Sequence, residues 1–248
     1  LGKWPWPRTR VAELVTAITR QGAVAMAFDI VFAEPDNLSP DRIADSLPGL
    51  DPLTRTNLKN MQTNDQVLGA ALASSRVIVG QSGKLTEREN SNQERNQTSI
   101  ATLGGDPVPY LIQYPGLLRN VDELERNAAG RALFNVLPQL GGVVRRVPLL
   151  MMADGLILPS LVAELLRVAT GSNAILAKVD EAGIKSIVVG GVDVPTDRNG
   201  QLWLYFSRHD KNRFLSAKDV LEGNPKAQAL RGKLVFIGTS SVGLHDVI

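Results

Sequence analysis

The stretch from Gly22 to Pro35, Gly-Ala-Val-Ala-Met-Ala-Phe-Asp-Ile-Val-Phe-Ala-Glu-Pro, leaves few ways of folding. Its apolar run from Ala23 to Phe28 is broken once, at Asp29, and resumes as Ile30-Val31-Phe32 before Glu34-Pro35 stops it. A strand with one face in water alternates apolar and polar residues, and this one does not, so it reads as a strand buried on both faces. Just upstream, Val11, Leu14, Val15 and Ile18 recur at helical spacing with Glu13, Thr16 and Thr19 opposite them. That pattern predicts a helix that covers the sheet and breaks at Gly22. The same order returns further on, with Asn64 or Asp65 as N-cap, Val67, Leu68, Ala71 and Leu72 on one helical face, and Val77-Ile78-Val79-Gly80 as a second strand. Helix followed by buried strand predicts an α/β fold: a mixed, partly parallel central sheet flanked by helices. Asp29 would then stand near the carboxyl end of a central strand, where ligands of such sheets usually sit.

The remaining segments fill in this frame. Lys3-Trp4-Pro5-Trp6-Pro7-Arg8 excludes helix and predicts an extended lead-in whose indoles pack on the domain. Turn residues between Asn37 and Met61 leave room for two short helices, Asp41 to Leu47 and Pro52 to Met61. Residues 81–97 are almost entirely polar and read as a protruding loop. Tyr110 to Tyr114 fits an edge strand. Ala132 to Leu137 and Val143 to Leu150, around Gly141-Gly142, predict an antiparallel hairpin extension. Pro159 opens a helix over Ser160 to Ala169, ended by Gly171. Ile184 to Val189, Val192 to Val194 and Gln201 to Phe206 read as strands. Ser216 with Asp219 reads as a capping box, and Lys233 to Ile237 is a second buried strand that opens into Gly238-Thr239-Ser240-Ser241-Val242-Gly243.

Composition narrows the function. With 248 residues and 44% hydrophobic content the chain can bury a full core, and we read it as a single domain over 1–248. Its net charge of +2 comes from 27 basic and 25 acidic residues mixed along the chain, which is no nucleic-acid footprint despite a pI near 9.0. An aromatic content of 5% also argues against base-stacking platforms. The absence of cysteine excludes disulfides, thiolate metal sites and cysteine nucleophiles. No stretch approaches the roughly 20 apolar residues of a membrane helix. The chain starts without methionine or a leader and stops a few residues after a strand, so both ends read as cuts from a longer protein.

Sites suited to chemistry are few. Gly238 to Gly243 has the G-x-x-x-x-G half of a phosphate loop, but Leu244 and His245 stand where lysine and Ser or Thr are needed. What survives is either a strand-ending turn packed with no ligand or a loop whose small residues, Thr239 and Ser240 among them, and N–H groups take an anion or a polar ligand. The same loop comes one residue short of a nucleophile elbow, because Val242 replaces the second glycine. A serine-type hydrolase would need Ser240 or Ser241 near His209 or His245. No metal constellation is spaced correctly, and no cofactor is implied. Asp29 and Asp246 lie at the end of one apolar strand and in the exit loop of another. If those strands are neighbours, both carboxylates share one sheet edge, where burial would demand donors such as Arg145 or Arg146. Capping of loop N–H groups and a dimer interface are the other readings of this pair.

The order of elements resembles the type-two CHASE sensory domain, the extracellular input module of bacterial cyclases and histidine kinases. The resemblance rests on Trp4-Pro5-Trp6-Pro7-Arg8 before a helix, Ala27-Phe28-Asp29-Ile30-Val31-Phe32-Ala33-Glu34-Pro35, and Asp65 opening the next helix. Asn135-Val136, Gly142-Val143-Val144-Arg145-Arg146-Val147-Pro148-Leu149, Pro159-Ser160-Leu161, and Gly232 to Thr239 followed by Gly243-Leu244-His245-Asp246 continue it. One segment departs: Pro138-Gln139-Leu140-Gly141-Gly142 keeps the glycine of the family's Asp-x-Asp-Gly turn and lacks both acids. The resemblance implies a non-enzymatic, extracytoplasmic domain of a membrane receptor, held between flanking transmembrane helices that lead to a kinase or cyclase output. It implies a small-molecule or protein signal as partner, with a homodimer as one form of assembly. Asp29, Arg145, Arg146, Thr239, Ser240 and Asp246 are the candidate ligand or signalling residues. A ligand-free envelope interaction domain is the rival reading.

Overall fold

The computed structural model describes residues 4–86, 98–136, 142–224 and 229–239. Its centre is a parallel sheet in the order β14 (Leu234–Ile237), β1 (Ala25–Phe28), β2 (Val77–Lys84) and β6 (Gly130–Leu133). A short strand, β5 (Gly116–Leu118), pairs antiparallel with the far end of β2. All four residues of β1 are buried, as an unbroken apolar run requires.

Alternation along β1 sends its side chains to two different layers. Met26 and Phe28 face α1 (Arg8–Arg20) and α4 (Asn64–Ala73) and share a core cluster with Val11, Leu14, Ile18, Leu68 and Leu72. Ala25 and Ala27 face α6 (Leu161–Thr170), whose Leu161, Leu165 and Val168 pack on them. Small residues on that face let the helix approach the sheet, and burying each larger aliphatic contributes roughly 1.5–3 kcal/mol. Ser160 caps α6 by accepting from the Ala163 N–H, and Gly171 ends it in the left-handed conformation that glycine adopts without strain.

Two features bring β1 and β2 close together. Gly80 lies so near the Phe28 carbonyl that a Cβ would sit 2.5 Å from its oxygen. Asn120 then ties the strand ends to the following loop, accepting from the Phe32 N–H at 2.8 Å and donating to the Gly80 carbonyl at 2.9 Å.

Beyond this sheet, β10 (Ala174–Asp180), β11 (Gly183–Val189) and β12 (Val192–Pro195) form an antiparallel meander, and β3 (Ser99–Leu103) pairs parallel with β10. The hairpin of β8 (Leu150–Ala153) and β9 (Leu156–Pro159) is edged by β4 (Gln113–Tyr114).

Several expectations from sequence are corrected here. Ile30-Val31-Phe32 is not a strand: the chain leaves the sheet after Phe28, and Phe32 is buried by stacking edge-on to Phe28 at 5.3 Å. Residues 81–84 are not loop but the continuation of β2, because Gln81 is 1% exposed and its amide donates to Glu125. Residues 87–97 of that segment lie outside the described residues. Among the described residues the runs around Gly141-Gly142 do not pair with each other. β6 joins the parallel sheet, while β7 (Arg146–Pro148) pairs with β13 (Gln201–Trp203). The cap of α4 is Thr63, in a reciprocal box with Gln66, instead of Asn64 or Asp65. At α7 (Ala217–Leu221), Ser216 accepts from the Lys218 N–H and no box with Asp219 forms.

Candidate functional site

Chain order fixes where a ligand site is expected. From β1 the chain steps to β2 and then β6 on one side, and β14, last in sequence, is added on the other. The reversal falls between β1 and β14, and crevices at the carboxyl ends of such strands are the usual ligand sites of open α/β sheets.

A groove of about 1160 Å³ lies on this side of the sheet. Its floor is the α1-facing side of the sheet edge, with Phe28 from β1 and Val235 and Ile237 from β14. Val11, Leu14 and Ile18 of α1 form one wall, and residues 212–218 with Val220, in and just before α7 (Ala217–Leu221), form the other. Trp4 and Trp6, with ring centroids 6.1 Å apart, close the end beside the start of α1, and Gly238 and Thr239 reach its lining. The parallel register pairs Leu234 with Ala25 and Phe236 with Ala27, so these two face the α6 layer. They stand 40% and 53% exposed, so the strand read from sequence as buried is an exposed edge strand, with no further strand beside it among the described residues to cover its apolar surface.

A buried polar belt pins the start of α1 next to this groove. The Arg8 N–H donates to Asp36 at 2.7 Å, the Asn64 amide donates to the same carboxylate at 2.8 Å, and the Asp36 N–H donates to Asp65 at 2.9 Å. The Arg8 guanidinium lies 3.5 Å from Asp65 and 4.5 Å from the centre of the Phe32 ring. Burial on its own raises the Asp36 carboxyl, but the Arg8 and Leu38 N–H groups, the Asn64 amide and the Arg8 charge outweigh it and hold the group below its ordinary range. Asp65 moves the other way. Burial lifts it, with help from the Asp36 charge, against the Asp36 N–H and Arg8.

A second belt lies at the end of β2. Glu125 accepts from the Gln81 amide and from both the N–H and the side-chain amide of Asn120, and pairs with Arg131 at 3.1 Å. Burial pushes the Arg131 guanidinium below its usual range, opposed by Glu125. On α6, Glu164 is fully buried and held by Arg167 at 2.7 Å and the Thr98 hydroxyl at 2.6 Å.

The candidates read from sequence scatter. Asp29 does follow β1 at its carboxyl end, and β1 and β14 are indeed neighbours, but Asp29 is exposed where a buried carboxylate was expected. Thr239 lines the groove. Arg146 pairs with Asp197 at 3.0 Å and lies 4.1 Å over the Trp203 ring, and Arg145 is exposed, so neither acts as the expected donor to a buried Asp29. Ser240, Ser241, His245 and Asp246 lie outside the described residues, as do Pro138 to Gly141. His209 is exposed and stacks on Phe214 at 5.1 Å. Among the described residues no group of three or more His, Cys, Asp or Glu could hold a metal ion. Arg8, Asp36, Gln81, Asn120 and Glu125 were missed. Asp36 directly after Pro35, and Asn120 shortly after Leu117-Leu118, were the available signals, but a lone polar residue in a loop does not announce burial.

No helix among the described residues is long and apolar enough to cross a membrane. The family model described as CHASE2 domain matches residues 1–248, the whole chain. No curated protein and no solved structure matches it.

Proposed function

The chain belongs to the CHASE2 domain family, an extracellular sensory family found in cyclases and histidine kinases, and on that premise we propose that it is the signal-sensing input module of a membrane-anchored receptor. The family match over 1–248 is the observation that carries this reading. The domain itself performs no chemistry in this account. It binds a signal outside the cytoplasm and passes a change of geometry through flanking membrane helices to a histidine kinase, a nucleotide cyclase or a similar output.

The groove supports the second half of the reading. It is lined both by Trp4 and Trp6, ahead of α1, and by residues 233–239 of and around β14. An occupant there touches the segments that lead toward both ends of the chain. It can shift their relative placement only by the difference in its affinity for the two arrangements, since equal affinity shifts nothing. Thr239, at the carboxyl end of β14, is the candidate that lines this groove, while Asp29 follows β1 between two of its lining residues, Phe28 and Ile30.

The absence of cysteine makes the location testable. Tyr205, 98% exposed, is replaced by cysteine in the whole protein with any cysteines outside this domain changed to serine, and intact cells are treated with a membrane-impermeant maleimide. Labelling of intact cells is the expected result. Labelling that appears only after the inner membrane is permeabilised would overturn the extracytoplasmic assignment.

A further inference from the structure

We propose that the groove between α1, α7 and β14 binds a long-chain carboxylate, with the alkyl chain along α1 and the head at the Lys218 and Lys233 end. This rests on the sensory reading above and names a ligand class that it leaves open.

The groove is cationic. Arg213, Lys218 and Lys233 reach the lining of the groove, and among the described lining residues there is no carboxylate. Asp210 and Glu222 lie 3.9 Å from Arg213 and Lys218, as exposed pairs outside that lining, and Lys233 makes no ion pair among the described residues. Loose exposed pairs of this kind contribute little and exchange readily for a better-placed anion.

The groove also has a direction. The Val24 N–H donates to the Lys233 carbonyl at 2.8 Å, and the Gln21 amide donates to the Val220 carbonyl at 3.5 Å. Both contacts place the β14 start and α7 beside the C-terminal end of α1. The opposite end holds Trp4 and Trp6. From Val11 to Ile18 the helix wall spans about 10 Å at 1.5 Å per residue, and the two indoles extend the apolar track beyond it. A cavity that is cationic at one end and aromatic at the other matches an amphiphile with an anionic head. A small polar metabolite would leave most of the apolar lining wet, and an uncharged lipid would leave the cations unused.

Sodium palmitate below its micelle concentration is the probe, and Trp4 and Trp6 are the reporters. A Trp203→Phe background removes the third indole. The expected result is a saturable change in tryptophan fluorescence, with affinity rising from octanoate to palmitate and falling at least tenfold for hexadecanol. Lys218→Glu combined with Lys233→Glu is expected to weaken palmitate at least tenfold and leave hexadecanol unchanged. Equal affinity for the acid and the alcohol, or no saturable change, would overturn the proposal. So would self-association abolished by Val235→Glu and uncompeted by palmitate, which would give the groove to a second copy. Binding confined to phosphatidylglycerol vesicles would likewise assign it to a bilayer surface. The two readings separate in the whole protein: if filling the groove with Val235→Trp changes output while palmitate does not bind, sensing stands and the ligand class falls. If palmitate binds and output responds to neither change, the ligand class stands and the sensory reading falls.

Discussion

Replacing Asn120 by alanine is the sharpest test of how the sheet edge is held. The side chain is 5% exposed and makes three hydrogen bonds, accepting from the Phe32 N–H at 2.8 Å and donating to Gly80 O and Glu125 Oε1 at 2.9 Å each. Truncation leaves a buried N–H and a buried carbonyl without their partner, and each such group costs about 1–3 kcal/mol. Asn120→Ala is therefore expected to lose about 3–5 kcal/mol. For a chain of this length that is a drop of about 6–20 °C in Tm, at 2–4 °C per kcal/mol. Urea unfolding followed by circular dichroism reads it as a lower midpoint with an unchanged slope. Asn120→Asp separates mechanism from mere volume. It keeps an acceptor for Phe32 but sets a carboxylate against Glu125 and the Gly80 carbonyl, so at neutral pH it should be less stable than the alanine variant and recover as pH falls. A loss below about 1 kcal/mol for alanine, or an aspartate variant more stable than alanine at pH 7, would refute the reasoning.

Gly80→Ala should cost about 1–3 kcal/mol or more, because its Cβ meets the Phe28 carbonyl at 2.5 Å and Phe134 at 2.9 Å; an unchanged urea midpoint would show that the strands can part freely. Leu165→Ala, at a fully packed position between α6 and the sheet, should cost about 2–5 kcal/mol by the same assay, and a neutral outcome would mean that this layer is not well packed. The Asp36 and Asp65 pair predicts opposite pH dependences. Asp36 is lowered in the folded protein, so its stabilisation is present above the ordinary value of 3.8 and is lost as pH falls through the native value. Asp65 is raised, so its contribution is greatest below 3.8 and is lost as pH rises through the native value. Relative to wild type, Asp65→Asn should therefore gain stability between acid and neutral pH and Asp36→Asn should lose it; parallel curves for the two variants would contradict the assigned directions.

What the sequence revealed and what it hid follow from one distinction. Periodicity is local, so the apolar spacing in α1, the unbroken run in β1 and the cap and stop of α6 were legible, and two buried strands already implied a layered α/β fold. Pairing is not local. Gly141-Gly142 lies between two β-rich runs and looked like a hairpin turn, yet β6 finds its partner in β2 and β7 in β13, over 50 residues away along the chain. Gln81 looked like the start of a polar loop because its burial depends on Glu125, 44 residues on. The site was half visible for the same reason. Placing Asp29 and Thr239 at adjoining strand ends needed only the strand order, whereas the groove exists because Trp4, Trp6, α1 and residues 212–220 converge on β14. Arg146 looked like an anion donor in isolation and is engaged by Asp197 and Trp203.

The claim that the domain senses through the β14 groove is tested most directly by the output of the whole protein in its membrane, wild type against Val235→Trp. An added indole fills the groove beside Leu14 and Ile18, while Leu53→Trp, at a position 70% exposed, controls for the indole itself. The account predicts that Val235→Trp folds, shifts basal output severalfold and abolishes the response to stimulus, with the control behaving as wild type. A folded Val235→Trp protein with unchanged basal output and an intact response would contradict it.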